Sequence, residues 1–471
     1  MRPNYSIFDV SRLNIEQRKA YDTVSDHFHN ISDNKDLLLM IMTGIAGSGK
    51  SYTINCIKRL LGDKCLLSAF FGIAAYNING KTISSALQLP IRNKRNNELK
   101  GNALQKLQND MEGVEYIIID EFSTIGQRML GWIDSRCRQA TGKKGLLFGG
   151  ISIILVGDIA QLPPVMDNTL YHSYPKNEMA IAGYVAYCCF RIVVSLKTNM
   201  RSCGEDNAQK HFRKALINLR NGNSTEEDWK FFLSRKPQQY NLNCNHLTKL
   251  VFSNQCAGEH NMNLLDSLGV PIAEIKSRNS PKPASKLSSE EFGGLENTIY
   301  LTKGARVMLT RNIWSDAGLC NGSLGIVKDI IFQNDQSPPS LPMAVIVQFD
   351  KYIGPSFCED VEKCVPIIPI TSNSLESGVS NERTQIPLKL AWSITIHKSQ
   401  GLTLEKVFVD IGKKESFDGL AYVALSRVKS ILDMIIEPFP FERIDKISEN
   451  KSFNFRIKEE KRLSELAKRN A

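Results

Sequence analysis

The stretch LLLMIMTGIAGSGKS (37–51) joins a continuous apolar run to a glycine-rich turn. A run that is apolar at successive positions is typical of a strand buried on both faces of a parallel sheet. The turn GIAGSGKS (44–51) matches the pattern G-x-x-x-x-G-K-[ST], in which a loop between a strand and a helix encloses a polyphosphate. Glycine lets backbone N–H groups turn toward the phosphates, and the N-terminus of the next helix favours their negative charge. The stretch therefore predicts an α/β fold with a nucleotide at one edge of the sheet.

Three more apolar runs indicate that the sheet continues beyond this first strand. They are KCLLSAFFG (64–72), VEYIIIDEFS (114–123) and ISIILVGD (151–158), and helix-like stretches separate them. Buried strands that alternate with helices predict an open parallel α/β sheet. Because ligands bind at the carboxyl ends of such strands, the residues that follow each run are candidates for a site.

The regions around these runs indicate helices and a different second half. NIEQRKAYDTVSDHFHN (14–30) predicts an amphipathic helix with Asn14 as its N-cap. The residues expected near one face of it are Ile15, Tyr21, Val24 and Phe28. From about 300 to 387, short β-rich segments separated by turns predict a small inserted β barrel. The charged stretch KEEKRLSELAKRN (458–470) predicts a helix or a frayed tail.

The phosphate loop and the carboxylates after the third run carry the chemistry of phosphoryl transfer. Lys50 can reach the β- and γ-phosphates of a nucleotide, and the Ser51 hydroxyl can hold Mg²⁺. Asp120, at the end of the apolar strand, is expected to hold the Mg²⁺ directly or through water. Its neighbour Glu121 is expected to activate the attacking water. Acidic pairs are common at solvated strand ends. The phosphate loop earlier in the chain favours the interpretation that this pair acts on a bound nucleotide and its Mg²⁺.

GDIAQLPPV (157–165) places a single amide beyond the fourth run. We expect Gln161 to lie beside the nucleotide, where it can contact the γ-phosphate or the water. Pro163 and Pro164 fix the adjacent backbone, so loss of the γ-phosphate would change a rigid turn. Gln161 is therefore predicted to sense the nucleotide state. The alternative is an ordinary loop that ends a strand.

Composition limits the class of protein. The chain has 471 residues, of which 42% are hydrophobic, enough for about two to four domains with real cores. Its net charge of +10 suits a polyanionic partner without specifying one. The 11 cysteines include no CxxC pair, and their odd number fits reduced thiols inside a cell. With no signal peptide and no run long enough to cross a bilayer, we expect a soluble intracellular protein without a membrane partner. The sequence does not determine the compartment, whether nucleus, mitochondrion or host cell.

Several of these segments, in this order, resemble the Pif-type DNA helicases of superfamily one, class B, which are related to RecD and to the phage Dda helicase. The resemblance runs from LNIEQ (13–17) to ALSRVKS (424–430). Its most specific parts are FGGISIILVGDIAQLPPV (148–165) and SITIHKSQGLTL (393–404). The other matching segments are GIAGSGKS (44–51), TISSALQLP (82–90), IIIDEFSTI (117–125), LTKGARVMLTRN (301–312), NGSLGIV (321–327) and AYVALSRVKS (421–430).

The resemblance implies two RecA-like parallel-sheet motor domains with small inserted subdomains, one of them a β barrel. The boundaries it implies are 1–200 for the first motor domain with an insertion at about 83–108, 201–299 and 388–445 for the second, 300–387 for the inserted SH3-like β subdomain, and 446–471 for a charged C-terminal tail. It also implies ATP and Mg²⁺ as cofactors, single-stranded and forked duplex DNA as partners, and a chain that functions as a monomer.

The resemblance also assigns roles to individual residues. It implies that Gln17 reads N6 and N7 of adenine, and that Arg201 and Arg427 act as arginine fingers. The residues expected to contact ATP are Gln17, Gly44, Ala46, Gly47, Ser48, Gly49, Lys50, Ser51, Tyr52 and Gly401. The residues expected to contact DNA are Phe71, Ser84, Ser85, His397 and Lys398. Gln400 lies in the same segment as the last two, which is expected to couple DNA to the nucleotide.

The implied function is an ATP-dependent DNA helicase that moves 5′-to-3′ on single-stranded DNA and unwinds duplex DNA, in replication, repair, recombination or telomere maintenance. An RNA helicase or a general nucleic-acid translocase would use the same ATPase core and is the alternative. A nucleotide-dependent switch or small-molecule kinase shares GIAGSGKS (44–51) but has no use for IHKSQG (396–401) or ALSRVKS (424–430). A binding module without catalysis is disfavoured by the intact lysine and carboxylates of the site.

Overall fold

The structure of the chain is a computed structural model. The residues it describes are 8–32, 35–90, 98–198, 200, 206–237, 247–357, 361–376 and 379–470. Its helices are α1 (Ile15–His29), α2 (Lys50–Leu61), α3 (Gly72–Asn77), α4 (Ile83–Ala86), α5 (Gly101–Asp110), α6 (Gln127–Thr141), α7 (Glu178–Cys188), α8 (Asn207–Arg220), α9 (Glu226–Leu233), α10 (Asn254–Ser267), α11 (Leu420–Leu425), α12 (Glu442–Asp445) and α13 (Lys451–Arg469). Its strands are β1 (Leu39–Gly44), β2 (Cys65–Ala69), β3 (Lys81–Thr82), β4 (Tyr116–Asp120), β5 (Ser152–Gly157), β6 (Ile192–Leu196), β7 (Thr248–Val251), β8 (Ala273–Lys276), β9 (Arg278–Ser280), β10 (Thr298–Leu301), β11 (Arg306–Leu309), β12 (Leu324–Ile331), β13 (Ala344–Phe349), β14 (Cys364–Ile367), β15 (Ile370–Glu376), β16 (Val379–Gln385), β17 (Leu388–Leu390), β18 (Ser393–Thr395), β19 (Val407–Asp410) and β20 (Met434–Ile436).

The chain divides into two compact units. The first contains Met1–Lys236, Gln400–Glu405 and Ile411–Ala471, and the second contains Pro237–Ser399 and Lys406–Asp410. These units are not the domains predicted from the sequence, whose boundaries stay a prediction. Among the described residues, no helix combines the length and the apolar character that a membrane span requires.

The four apolar runs form part of one parallel sheet in the first unit. Its strand order is β3-β2-β4-β5-β1-β6, and the paired strands are parallel throughout. Strands β1, β2, β4 and β5 lie in the predicted runs, whereas β3 and β6 were not predicted. The phosphate-loop strand β1 lies between β5 and β6, so the loops after β1, β4 and β5 meet at one edge of the sheet.

Successive residues of the strands pack on opposite faces of this sheet. Ile41 and Leu155 belong to a core that includes residues of α6, α7 and α13, whereas Met40 and Val156 pack with residues of α1 and α2. All four side chains are fully buried, and each such burial stabilises the fold by roughly 1.5–3 kcal/mol. Burial on both faces is why the strands read as continuous apolar runs.

Helix α1 begins at the predicted cap, and three of the four residues expected on one face, Tyr21, Val24 and Phe28, pack on the core. The Asn14 side chain accepts the N–H of Gln17, and Gln17 Oε1 accepts the N–H of Asn14, which together form a capping box. Val24 is buried as expected, whereas Ile15 is 90% exposed, so its placement on that face was wrong. Ile15 lies two positions before the buried Gln17, which turns it about 160° away around the helix.

The charged stretch at the end of the sequence forms helix α13 rather than a frayed tail. The helix packs against β6, and its side chains Phe453 and Leu463 are buried. Leu463 joins the core that also contains residues of β1 and β5. Of the two alternatives predicted for this segment, the helix is the one that the structure shows, and it contributes to the first unit's core.

The described part of the second unit contains parallel strands and three antiparallel sheets. Strand β7 pairs in parallel with β18 and with β19. The five-stranded antiparallel sheet has the order β14-β13-β12-β11-β17, and its core includes Val307, Val327 and Val347. Strand β16 pairs with β15 and β9, and β8 pairs with β10. Strands β11 to β16 lie within residues 300–387, whereas β8 and β9 lie before them, and the inserted barrel stays a prediction.

Candidate nucleotide site and nucleic-acid contacts

The turn between β1 and α2 folds tightly because glycine occupies its critical positions. Gly47 and Gly49 have φ values of 83° and 81°, in the left-handed region that glycine adopts at little cost. A Cβ on Gly44 would lie 2.5 Å from Ser48 Oγ, so a larger residue there would displace the loop. The ammonium group of Lys50 donates to the Gly44 carbonyl oxygen at 2.8 Å, which holds the lysine across the loop.

A cavity of about 290 Å³ lies over this loop in the first unit. The predicted site residues that line it are Ala46, Gly47, Ser48, Gly49, Lys50, Ser51, Tyr52, Asp120, Glu121, Gln161, Gly401 and Arg427. The sequence analysis missed four further lining residues, which are Ala74, Asn77, Met200 and Leu402. Asn77 could not be found from a motif, because its amide reaches the cavity wall through a 2.8 Å hydrogen bond to the distant Gly401 carbonyl oxygen.

The two carboxylates after β4 face this cavity. Asp120 and Glu121 are only 6% and 8% exposed, and the Asp120 carboxylate accepts the N–H of Glu121 at 2.9 Å. Burial, followed by the charge of Glu121, raises the pKa of Asp120 to about 7, although Lys50 opposes the shift. Two buried negative groups beside a lysine suit a ligand that brings a cation with it.

Glu121 is held by its backbone and by a neighbouring amide. Its φ of 56° and ψ of 43° lie in the left-handed region, which costs a residue with a side chain about 1 kcal/mol. Gln400 Nε2 donates to Glu121 Oε2 at 3.5 Å and to Ser123 Oγ at 3.3 Å. Gln400 therefore helps to orient the carboxylate that the sequence predicts to be the base.

Gln161 lies in the cavity wall, as its position after β5 predicted. It is 4% exposed, and its Oε1 has no hydrogen-bond partner among the described residues. The preceding backbone is packed closely, since a Cβ on Gly419 would lie 2.3 Å from the Ala160 carbonyl oxygen. This acceptor oxygen is available to the O–H of a bound water, whereas a phosphate oxygen would have to accept from the Nε2 group of the same amide.

Arg427 reaches the same cavity from the end of helix α11. It is 3% exposed, and its guanidinium group donates to the carbonyl oxygens of Val423 and Leu402 at 2.8 and 3.2 Å. Arg201, the other predicted finger, lies outside the described residues. The residue before it, Met200, lines the cavity, and its N–H donates to the Gly47 carbonyl oxygen at 2.8 Å.

Gln17 does not line the cavity but contacts the phosphate loop from outside. Its Nε2 donates to the Ser48 carbonyl oxygen at 3.0 Å, and its Oε1 accepts the N–H of Asn14. The side chain is 2% exposed. Both ends of the amide are therefore bonded within the chain, and its role in reading adenine stays a prediction.

The residues predicted to contact DNA fall into both units. Phe71 is half-buried and packs edge-on against Phe70, with ring centroids 4.8 Å apart. In helix α4, Ser84 is half-buried and Ser85 is exposed. His397 belongs to the second unit, and burial lowers its pKa.

Lys398 lines a second cavity, of about 850 Å³, that lies within the second unit. Lys389 lines it too, and so does Glu296. Burial, followed by the positive charge of Lys389, lowers the pKa of Lys398 to about 7, although Glu296 opposes the shift. Two lysines that face one cavity and repel each other would be stabilised by a phosphate group between them.

The donors at the first cavity fit Mg²⁺ that arrives with a nucleotide. Within the described residues, no group of three or more His, Cys, Asp or Glu side chains forms a metal site. Ser51 and Asp120 provide a hydroxyl and a buried carboxylate at the cavity wall. Mg²⁺ commonly takes one or two protein oxygens and completes its shell with phosphates and water, which is the arrangement these two residues allow.

The parallel sheet, the phosphate loop and the strand-end carboxylates together define a phosphate-loop protein with a RecA-like fold. A sequence profile described as PIF1-like helicase matches residues 12–230, and one described as DNA helicase Pif1, 2B domain, matches residues 295–330. Pif1 helicases, which are of superfamily one, class B, are homologues of this chain, as the resemblance of its motifs indicated.

Relatives of known name match most of the chain. The ATP-dependent DNA helicase PIF1 of Xenopus laevis is 27% identical over 464 residues, which cover 93% of this chain and 63% of that protein. The ATP-dependent DNA helicase Pif1 of Campylobacter jejuni is 28% identical over 417 residues, which cover 82% of this chain and 86% of that protein. The ATP-dependent DNA helicase PIF7 of Trypanosoma brucei is 27% identical over 92% of this chain, which spans 47% of that protein. The chain thus spans about half to two thirds of several relatives.

Solved structures have the same fold. The crystal structure of the Pif1 helicase from Candida albicans is 25% identical, with a TM-score of 0.73 and coverage of 96% of this chain and 99% of that chain. Bacteroides Pif1 bound to single-stranded DNA is 23% identical, with a TM-score of 0.66 and coverage of 92% and 93%. These neighbours confirm the predicted α/β architecture with two RecA-like domains.

Proposed function

We propose that the chain is an ATP-dependent DNA helicase that moves 5′-to-3′ on single-stranded DNA and unwinds duplex DNA. The observation that carries the proposal is the convergence of Lys50, Glu121 and Gln161 on one cavity. Gln400, from the segment IHKSQG (396–401), contacts the carboxylate of Glu121 in that cavity. The names of the relatives, which are ATP-dependent DNA helicases, support the proposal.

The residues of the cavity would divide the work of ATP hydrolysis among them. Lys50 would leave the loop carbonyl for the β- and γ-phosphates, and Ser51 with Asp120 would hold Mg²⁺. When bound, that ion would neutralise charge on the phosphates. Glu121 would take the proton of the attacking water, because its carboxylate is fixed by Gln400. A positive group such as Arg427 would offset the charge that develops on the phosphates.

The segment IHKSQG (396–401) would link hydrolysis to DNA. Lys398 lines the cavity of the second unit. Two residues later, Gln400 contacts Glu121, the proposed catalytic base in the cavity of the first unit. A phosphate of single-stranded DNA between Lys398 and Lys389 would shift this segment, and Gln400 would transmit the shift to Glu121. Binding and release of ATP would then advance the chain along the strand.

The proposal extends to the setting in which the chain works. We place it inside a cell, acting as a monomer in replication, repair, recombination or telomere maintenance. The motor and inserted domains implied by the resemblance belong to the same proposal. Forked duplex DNA is its expected substrate, and single-stranded DNA its track.

Strand displacement on duplexes with a single-stranded tail at either end tests the function. We expect unwinding of the 5′-tailed substrate in the presence of ATP and Mg²⁺, and its loss in Lys50→Ala. Unwinding of the 3′-tailed substrate alone would refute the polarity, and wild-type ATP hydrolysis by Lys50→Ala would refute the site. If RNA oligonucleotides stimulate hydrolysis more than DNA oligonucleotides do, the RNA helicase alternative is correct.

A further inference from the structure

A line of buried polar contacts leads away from the phosphate loop within the first unit. The N–H of Ala46 donates to the hydroxyl oxygen of Tyr422 at 3.1 Å, and this hydroxyl donates to Asp158 Oδ2 at 3.2 Å. Tyr422 is 4% exposed and Asp158 is 0% exposed. The hydroxyl group therefore fixes one backbone N–H of the loop and is itself fixed by a carboxylate.

Asp158 is held in its charged form by Arg220, at the end of helix α8. Arg220 Nη2 lies 2.7 Å from Asp158 Oδ1, and its Nε lies 3.2 Å from the same oxygen. Burial alone would raise the pKa of Asp158, but Arg220 lowers it below its usual value. Arg220 also forms an ion pair with Glu460 of helix α13, with Nη2 and Oε1 2.7 Å apart, and its Nη1 donates to Asn221 Oδ1 at 3.1 Å.

Helix α13 contacts this line of residues a second time. Arg456 donates to the Arg220 carbonyl oxygen at 2.6 Å, which satisfies a backbone acceptor at the end of α8. The charge of Arg456 also acts on Asp418, the neighbour of Gly419, which packs on the backbone before Gln161. The helix therefore contacts Arg220 through both Glu460 and Arg456, and its charge acts on the residue next to Gly419.

A contribution to the stability of the fold does not by itself explain why Arg220, Asp158 and Tyr422 form buried polar contacts. Removing charged groups from water costs several kcal/mol each, and well-packed apolar side chains often stabilise a fold as well or better. These polar contacts fix an N–H group of the phosphate loop by a directed hydrogen bond, which apolar packing cannot do. We propose that Arg220 is a positioning residue of the nucleotide site. Through Asp158 it holds Tyr422 against the phosphate loop, and helix α13 in turn holds Arg220.

The inference rests on the proposed ATPase site and is tested by nucleotide binding without DNA. The variants are Tyr422→Phe, which removes a single oxygen, Glu460→Gln, and the two combined. Glu465→Gln is the matched control, because Glu465 is exposed on the same helix and the charge change is identical. Affinity for a fluorescent ATP analogue with Mg²⁺, the KM for ATP and the thermal unfolding temperature are measured for each variant.

We expect Tyr422→Phe to weaken nucleotide affinity about tenfold, as loss of one directed hydrogen bond to the loop predicts. Glu460→Gln should weaken nucleotide affinity about threefold, since Glu460 acts on the phosphate loop only indirectly, through Arg220. The double variant should bind no more weakly than Tyr422→Phe, because the line is already broken at the hydroxyl. The KM for ATP should rise in step with the loss of affinity, and Glu465→Gln should behave as wild type.

Additive effects in the double variant would overturn the inference, because they would mean that the two residues act independently. So would a Glu460→Gln variant that unfolds at a lower temperature but binds nucleotide as wild type does, because its role would then be structural. Since the readout is nucleotide binding, the inference can fail while DNA unwinding is retained. It can equally be supported if wild-type protein binds ATP and does not unwind DNA.

Discussion

Replacing Gln17 by alanine separates two roles that one side chain is expected to have. In the structure its amide joins the cap of α1 to the phosphate loop, through Asn14 and the Ser48 carbonyl oxygen. The resemblance to the Pif-type helicases implies that the same amide also recognises the adenine base of ATP. We expect Gln17→Ala to lower the free energy of unfolding and also to weaken the preference for ATP over GTP.

The size of the stability loss follows from the contacts. A buried carbonyl oxygen left without a donor at Ser48 costs about 1–3 kcal/mol, and half of the capping box at Asn14 costs about 0.5–1 kcal/mol. Gln17→Ala should therefore destabilise the first unit by about 2–3 kcal/mol. Asn14→Ala is the matched control, because it removes the side-chain cap at about 1 kcal/mol and leaves the contact with Ser48 in place.

Urea unfolding without nucleotide measures the loss in free energy of unfolding. The ratio of ATP to GTP hydrolysis measures the preference for ATP. Asn14→Ala should keep the wild-type preference for ATP. If Gln17→Ala is no less stable than Asn14→Ala, the contact with Ser48 has been misjudged. If Gln17→Ala keeps the full preference for ATP, the amide does not read adenine and its role is structural.

Three further predictions concern the two cavities. Gln161→Ala should bind ATP normally and lose the stimulation of hydrolysis by DNA, and unchanged unwinding would refute the sensor role. Gly419→Ala should slow hydrolysis at least tenfold in a folded protein, because its Cβ would lie 2.3 Å from the Ala160 carbonyl oxygen and would displace the turn of Gln161; wild-type turnover would contradict this. The pKa of Lys398 near 7 means that its charge is present below that pH and lost above it, so DNA affinity should fall between about pH 6 and pH 8. Lys398→Arg stays charged and should abolish that slope, and an unaltered slope in this variant would exclude Lys398 as its source.

The sequence predicted those parts of the site that depend on short segments. The phosphate loop, the acidic pair and Gln161 each follow an apolar run, and in a parallel sheet such positions meet at one edge. Their convergence on one cavity confirms this placement. Asn14 was likewise found as a cap because its partner lies three residues away.

The parts that the sequence did not predict depend on contacts between distant segments. No local pattern shows that Asn77 reaches Gly401, or that Tyr422 contacts the N–H of Ala46. Helix α13 reads as a charged helix or tail because few apolar positions mark its buried side, and Arg456 and Glu459 are buried with polar partners instead. Strand β6 was missed because it follows a helix without a recognisable motif at its end.

The left-handed backbone at Glu121 has a consequence for laboratory evolution. A selection for heat resistance alone is expected to recover Glu121→Gly or Glu121→Asn, because these residues occupy that conformation with less strain. Each such variant would be more stable and, under the proposed mechanism, inactive, since it lacks the carboxylate proposed to take the proton from water. If the proposed function is correct, stabilised variants of this protein must be selected for ATP turnover at the same time.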